Sequence, residues 1–427
     1  MEKLTSWRRR TLQSSNELEL SPLPAKRSPS RKRSDMKRLR IIAASLLALS
    51  IPAGAAAQQN LQDVLSFLLA NRSINTDDPA RDQQAAEATR DAITQLLQTQ
   101  LETLPTSSSA TGFTYREDPD LGGIVARSSP SFGPFFVERS LTAGARRPSV
   151  GITYQDAVFD KIDGRNLRDG TLVATASRFR GDTKPFDVET VALSLRTHTI
   201  TLSGNLGLTD RLDVGAAVPF IRLTLSGQRI DTLRGAVFPQ AQANASASGV
   251  GDIVLRGKYN VMRRGGNGVA IGAEMTLPTG AEENLLGSGE TVVRPRVVVS
   301  HEGARIGVHG DAGYSVGGFS RQLDYAAAVT VAATPRVTVG GELLGHRFAK
   351  GGRLTETTLP NPQLIGVDTI RLTSVTAATE RVLAIAGVKW NVASSMILNA
   401  SVLRPITDAG LNPAWVPVIA LEYSLGR

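Results

Sequence analysis

Apolar and polar residues alternate with a period of two for about ten residues at a time, in segment after segment. No other feature restricts the fold of this chain as strongly. In Asp252–Met262, Ile253, Leu255, Gly257, Tyr259 and Val261 fall on one face, with Val254, Arg256, Lys258 and Asn260 on the other. In Gly268–Gly280, Val269, Ile271, Ala273, Met275 and Leu277 oppose Ala270, Gly272, Glu274 and Thr276. In Val292–His301, Val293, Pro295, Val297 and Val299 oppose Arg294, Arg296, Val298 and Ser300. Ile306–Val316 repeats the pattern, with Val308, Gly310, Ala312 and Tyr314 against His309, Asp311, Gly313 and Ser315. Ordinary strands run about 5–6 residues, whereas a tilted membrane-crossing strand needs about 9–11. These runs have the second length.

Twelve such strands are expected, at about 147–158, 188–208, 211–227, 251–262, 268–279, 291–301, 306–316, 323–333, 337–347, 381–392, 396–406 and 414–425. Short connectors (Leu208–Arg211, Arg263–Asn267, Glu302–Arg305, Thr334–Arg336, Ala393–Ser395) alternate with longer ones at 159–187, 228–250, 280–290, 317–322, 349–378 and 407–413. That alternation is the mark of an antiparallel transmembrane β-barrel, with short turns on one side and long loops on the other. Tyr259, Trp390 and Tyr423 are expected at one interface, and Tyr314, Tyr325 and Trp415 at the other. A soluble sandwich or lipocalin-like barrel is the competing all-β reading, and strand length speaks against it. Phase changes near Thr197–Ile200 and Pro219 read as bulges.

Composition removes other classes. There is no cysteine, so disulfide frameworks, thiolate metal sites and cysteine nucleophiles are excluded. A mean hydropathy of -0.07 excludes a polytopic helical membrane protein. The net charge of +9 suggests nucleic acid until it is located. Residues 1–40 carry 12 Lys or Arg against 4 Asp or Glu, and the other 387 residues are nearly balanced. No folded basic face is left for nucleic acid.

The segment from Met36 has the order of a secretory signal: basic Lys37, Arg38 and Arg40, an apolar run from Ile41 to about Ile51, and an A-x-A ending at Ala57. Cleavage is expected between Ala57 and Gln58, making 1–57 a basic extension plus signal peptide; a basic tail on a signal anchor is the alternative. Residues 58–130 are expected to be a helical plug or periplasmic segment. A short helix is expected around Leu61–Leu69, and a second from about Asp78-Pro79 to Leu104, followed by a Ser/Gly/Pro-rich stretch at 106–134. Residues 131–427 are expected to form the barrel.

Particular motifs add a family resemblance. GNLGLTDRLDVGAAVPFIRL (204–223), GDIVLRGKYNV (251–261), LPTGAEENLLGSG (277–289), VLAIAGVKWNVASSMILNASVLRPITDAGL (382–411) and SFGPFFVERSLTAG (131–144) resemble the bacterial outer-membrane transporter barrels associated with phenol and aromatic meta-cleavage pathways. These are distantly similar to fatty-acid and hydrocarbon channels. The resemblance implies an outer-membrane location, insertion by the barrel-assembly machinery, contact with outer-membrane lipid, and transport of a small, hydrophobic or aromatic solute. Such barrels usually close on an aromatic residue, whereas this chain ends Tyr423-Ser-Leu-Gly-Arg427.

Seven residues, Arg256, Lys258, Glu274, Arg294, Arg296, His309 and Asp311, share one strand face and form a candidate lumen-facing charge cluster with a basic excess. It either filters solutes or neutralises itself to hold the interior together. A channel, a structural or interaction barrel with a filled lumen, and an outer-membrane hydrolase built on His309, Asp311 and Ser315 are therefore all open. No nucleophile elbow or zinc-protease spacing supports the hydrolase, and nothing calls for a cofactor or metal. Glu282, Glu283 and Glu290 read as a solvated loop, and the GSG at 287–289 does not lead from a strand into a helix.

Overall fold

The alternating runs pair into a closed antiparallel barrel in the computed structural model, which describes residues 60–69, 91, 93, 94, 104, 105, 112–118, 124–318, 320–361 and 364–425. The expected signal segment, its Ala57–Gln58 junction and nearly all of the second expected helix lie outside the described residues. Ahead of the barrel come a helix, α1 (Leu61–Leu69), and a small hairpin, β1 (Tyr115–Asp118) with β2 (Ile124–Arg127).

Twelve staves form the wall, each at an expected place: β3 (Arg147–Ile162), β6 (Asp187–Gly207), β7 (Leu212–Leu233), β9 (Ile253–Arg264), β10 (Asn267–Leu277), β11 (Val292–Glu302), β12 (Ile306–Ser315), β13 (Gln322–Thr334), β14 (Val337–Pro360), β15 (Val367–Ala393), β16 (Met396–Pro405) and β18 (Val416–Ser424). Each pairs with its neighbours in that order, and β18 returns to β3 with Tyr423 opposite Val150, so no edge is left open.

The pleat sorts the faces as the period of two requires. Ile271, Val297 and Val299 point outward and are half-exposed, while Ala270 and Val298 point inward and are fully buried. The outward face of the staves is an apolar belt, as a lipid-facing wall must be. Tyr259, Trp390 and Tyr423 lie outward beside the short turns, and Tyr314 and Trp415 lie outward at the other end. Tyr325 joins the second girdle by laying its ring against Gly345, where a Cβ would come within 2.2 Å of ring carbons; its hydroxyl donates to Glu380.

Three segments expected as loops are strands. The long connector at 159–187 contains β4 (Arg165–Asn166) and β5 (Leu172–Phe179); 228–250 is the end of β7 plus β8 (Ala236–Val250); 349–378 is the far ends of β14 and β15. A short strand, β17 (Leu411–Pro413), pairs with β3. Together β8, upper β7, upper β6, β5, upper β15 and upper β14 make a second tier above the barrel, on the side of the long connections.

The expected bulges on β6 and β7 are absent. Their register runs without a shift from Asp187↔Leu233 to Gly207↔Asp213. What changes is which face is apolar. Near the short turns Ile200, Leu206, Val214 and Phe220 point outward, whereas in the upper tier Val191, Leu193, Leu195, Leu223 and Leu225 point inward and are buried. Outside the membrane the apolar face must turn inward to stay dry, so the switch marks the edge of the lipid. α1 completes that upper core. Asn60 caps it by accepting the Asp63 N–H at 2.7 Å, and Leu61, Val64, Leu65 and Leu68 are buried in the same cluster as Leu223, Leu225 and Leu285.

Candidate functional site: the barrel lumen

Residues 128–145 cross the lumen near the short-turn end as a strap with little regular structure. A buried strap of this kind must find partners for its backbone groups, and here charged side chains of the wall supply them. Glu342 of β14 accepts the N–H groups of Phe135, Phe136 (2.9 Å) and Val137 (3.1 Å). Lys389 of β15 donates to the carbonyls of Phe132 (3.3 Å) and Pro134. On the opposite wall Lys258 donates to the Arg139 carbonyl at 3.0 Å, and Asn260 to that of Ser140 at 2.7 Å. Asp311 accepts the Glu138 N–H at 3.1 Å, and Asp213 accepts that of Ala143 at 3.0 Å. Hydrogen bonds to charged groups contribute about 1.5–3 kcal/mol each, so the strap is held by many strong attachments.

Above the strap lies a cavity of about 170 Å3. Phe136 and Glu138 line it from the strap, and Leu286, Gly287 and Ser288 from the loop between β10 and β11. That loop folds inward. Leu285 and Leu286 are buried, and Asp252 anchors it by accepting the N–H of Gly280 (2.9 Å) and both the N–H (2.8 Å) and hydroxyl (2.9 Å) of Ser288. The LPTGAEENLLGSG motif therefore builds part of the cavity wall. Glu282, Glu283 and Glu290 of the same loop are exposed.

All seven cluster residues face inward, and they divide into two groups. Glu274 bridges Arg256 (2.8 Å) and Arg294 (2.7 Å), and Arg294 continues to Asp324 (2.7 Å) and Ser315 (2.7 Å). Arg296 lies 3.6 Å from Asp311. Lys258 and His309 lie lower, against the strap: Lys258 is 3.5 Å from Glu138, and His309 Nδ1 is 3.1 Å from the Ser300 hydroxyl.

The basic excess read from the strand faces is not what the cavity presents. Five carboxylates line it, of Glu138, Asp252, Glu274, Asp311 and Asp324, against three guanidiniums, of Arg256, Arg294 and Arg296. Sequence reasoning missed Asp324, Glu138, Glu342 and Lys389. Asp324, Glu342 and Lys389 stand at inward positions of strands it had placed, and the alternation was enough to find them. Glu138 sits on the strap, where no period reveals which way a side chain points.

His309, Asp311 and Ser315 do not form a relay. Asp311 binds the strap and approaches Arg296, Ser315 serves Arg294 and Asp324, and His309 is packed with Ser300 beneath the strap. The hydrolase expectation has no geometry behind it.

A closed twelve-stranded wall with an apolar belt, two aromatic girdles and a charged lumen is an outer-membrane β-barrel. Residues 169–358 match the family described as "Putative MetA-pathway of phenol degradation", the family that the sequence motifs resemble. No curated protein matches the chain in sequence. Among solved structures it is similar to the COG4313 outer membrane channel from Pseudomonas putida F1 (14% identity, 67% of this chain and 98% of that one, TM-score 0.41). It is also similar to a Pseudomonas aeruginosa FadL homologue (10% identity, 75% and 98%, TM-score 0.31).

Proposed function

We propose that the barrel is a passive outer-membrane channel for small solutes, with its route through the luminal cavity and its narrowest point at the strap. The observation that carries this reading is the cavity itself: open volume inside a closed membrane wall, between an anchored inward loop and a strap of irregular backbone. Its lining joins apolar patches (Phe136, Ile221, Leu286, Leu344) to a paired ionic wall, which suits small solutes with one apolar face. The family description makes phenolic and other monoaromatic compounds the first solutes to test. Delivery by cleavage after Ala57 belongs to the same proposal, and N-terminal sequencing tests it: Gln58 is the first residue expected, and any other start would remove the cleavage.

The density of attachments on the strap favours a second reading, a filled barrel that uses its upper tier for contacts. Planar bilayers separate the two. A channel gives small, discrete conductance steps at the single-molecule level. A filled barrel inserts silently.

A further inference from the structure

We propose that the outward face of β3, β6 and β7, where the apolar belt ends, docks the phosphate groups of an outer-leaflet glycolipid. The edge of the lipid is fixed by the face switch on β6 and β7: outward Ile200 and Phe220 are the last large apolar residues before outward Arg196, His198, Arg222 and Thr224. These positions are in register across three strands. Asp156 is opposite His198, His198 is opposite Arg222, and Val158 is opposite Arg196. They stand about ten residues from the short turns, close to the length that crosses the hydrocarbon.

The group is pre-ordered. Asp156 holds the Arg196 guanidinium through Nε (2.9 Å) and Nη2 (2.5 Å), and His198 Nδ1 lies 2.9 Å from the Tyr154 hydroxyl and 3.5 Å from Asp156. The Tyr154 and His198 rings stack at 6.2 Å. Arg196 is exposed, and Arg222 makes no ion pair among the described residues. Two guanidiniums against one carboxylate, outside the wall, cannot act on a solute in the lumen. What lies against them in the membrane is the headgroup layer, where guanidiniums form paired, charge-assisted hydrogen bonds with phosphate. Arg404 on β16 is also exposed at this height, whereas exposed Arg347 on β14 stands opposite exposed Glu380, so the net positive charge lies on the β3–β6–β7 face.

Native mass spectrometry of the purified full chain in detergent tests this, with diphosphorylated lipid A as probe and its dephosphorylated form as comparison. Retention of the diphosphorylated lipid is expected for the natural chain. It should fall about tenfold in Arg196→Gln/Arg222→Gln and measurably in Arg222→Gln alone, which leaves the Asp156–Arg196 pair intact. Arg336→Gln, at a short turn on the other side, should retain the lipid. Heat-modifiable migration on a gel establishes that each variant is folded. Equal retention of the dephosphorylated lipid, or by the double variant, would overturn the proposal. Displacement by millimolar inorganic phosphate would show an anion site indifferent to lipid, and would overturn it equally.

Discussion

The carboxylate of Glu342, on the barrel wall, accepts the backbone N–H of Phe136, on the strap, at 2.9 Å. The same carboxylate takes the N–H groups of Phe135 and Val137. One side chain therefore holds three successive amides of a segment that has no strand or helix of its own to pair them.

Glu342→Ala removes that acceptor and leaves buried amides unpaired. The strap should loosen by about 3 kcal/mol or more while the wall stays closed. Bilayer recordings of the variant should show larger or more frequent steps than the natural chain, with heat-modifiable migration retained. Lys389→Met, which frees the Phe132 and Pro134 carbonyls, should act in the same direction.

Arg294 joins Glu274 to Asp324, and all three are largely buried. Arg294→Met leaves two carboxylates short of a cation, a change that costs about 3–5 kcal/mol at a buried site. The temperature at which the folded band is lost on a gel should drop clearly. Arg336→Gln, on an exposed turn, should not move it.

The acidic balance of the cavity predicts its ion preference. Under a salt gradient the reversal potential should have the sign of a cation-preferring pore, and Asp324→Asn should shift it toward zero. A preference for anions in the natural chain would contradict the cavity's charge balance.

Asp187 and Asp231 meet in the upper tier, far beyond the membrane. Burial, followed by the hydrogen bond and charge of Asp231, pushes the Asp187 carboxyl up to about 8. A raised carboxyl favours the fold below its unfolded value near 4 and loses that contribution as pH rises through 8. Protection of the β6 and β7 amides near Asp187 and Asp231, taken relative to the intrinsic exchange rate at each pH, should therefore fall between about pH 5 and pH 8. Asp187→Asn should flatten that dependence.

The membrane tier was legible from sequence because a lipid-facing wall keeps one apolar face over its whole length. Ile253 to Val261 and Val293 to Val299 carry that face, so strand, register and inward charges followed from the period. The upper tier was not legible. At Leu193, Leu195, Leu223 and Leu225 the apolar face changes sides while the backbone runs straight on, and a change of phase looks like a bulge when only hydrophobicity is read. The strap was illegible for another reason: its amides are paired by Glu342 and its carbonyls by Lys389, from strands some two hundred residues away. Only the fold brings them together. The sign of the cavity's charge depended on the same step, since Glu138 lies outside the alternating strands.

The most direct test of transport through this lumen is the swelling of proteoliposomes in small neutral sugars, measured for the natural chain and for Glu342→Ala. Swelling above protein-free vesicles is expected for the natural chain, faster swelling for the variant, and slower swelling with a trisaccharide than with a pentose. If neither folded protein admits the pentose, the lumen is filled and the channel reading is wrong.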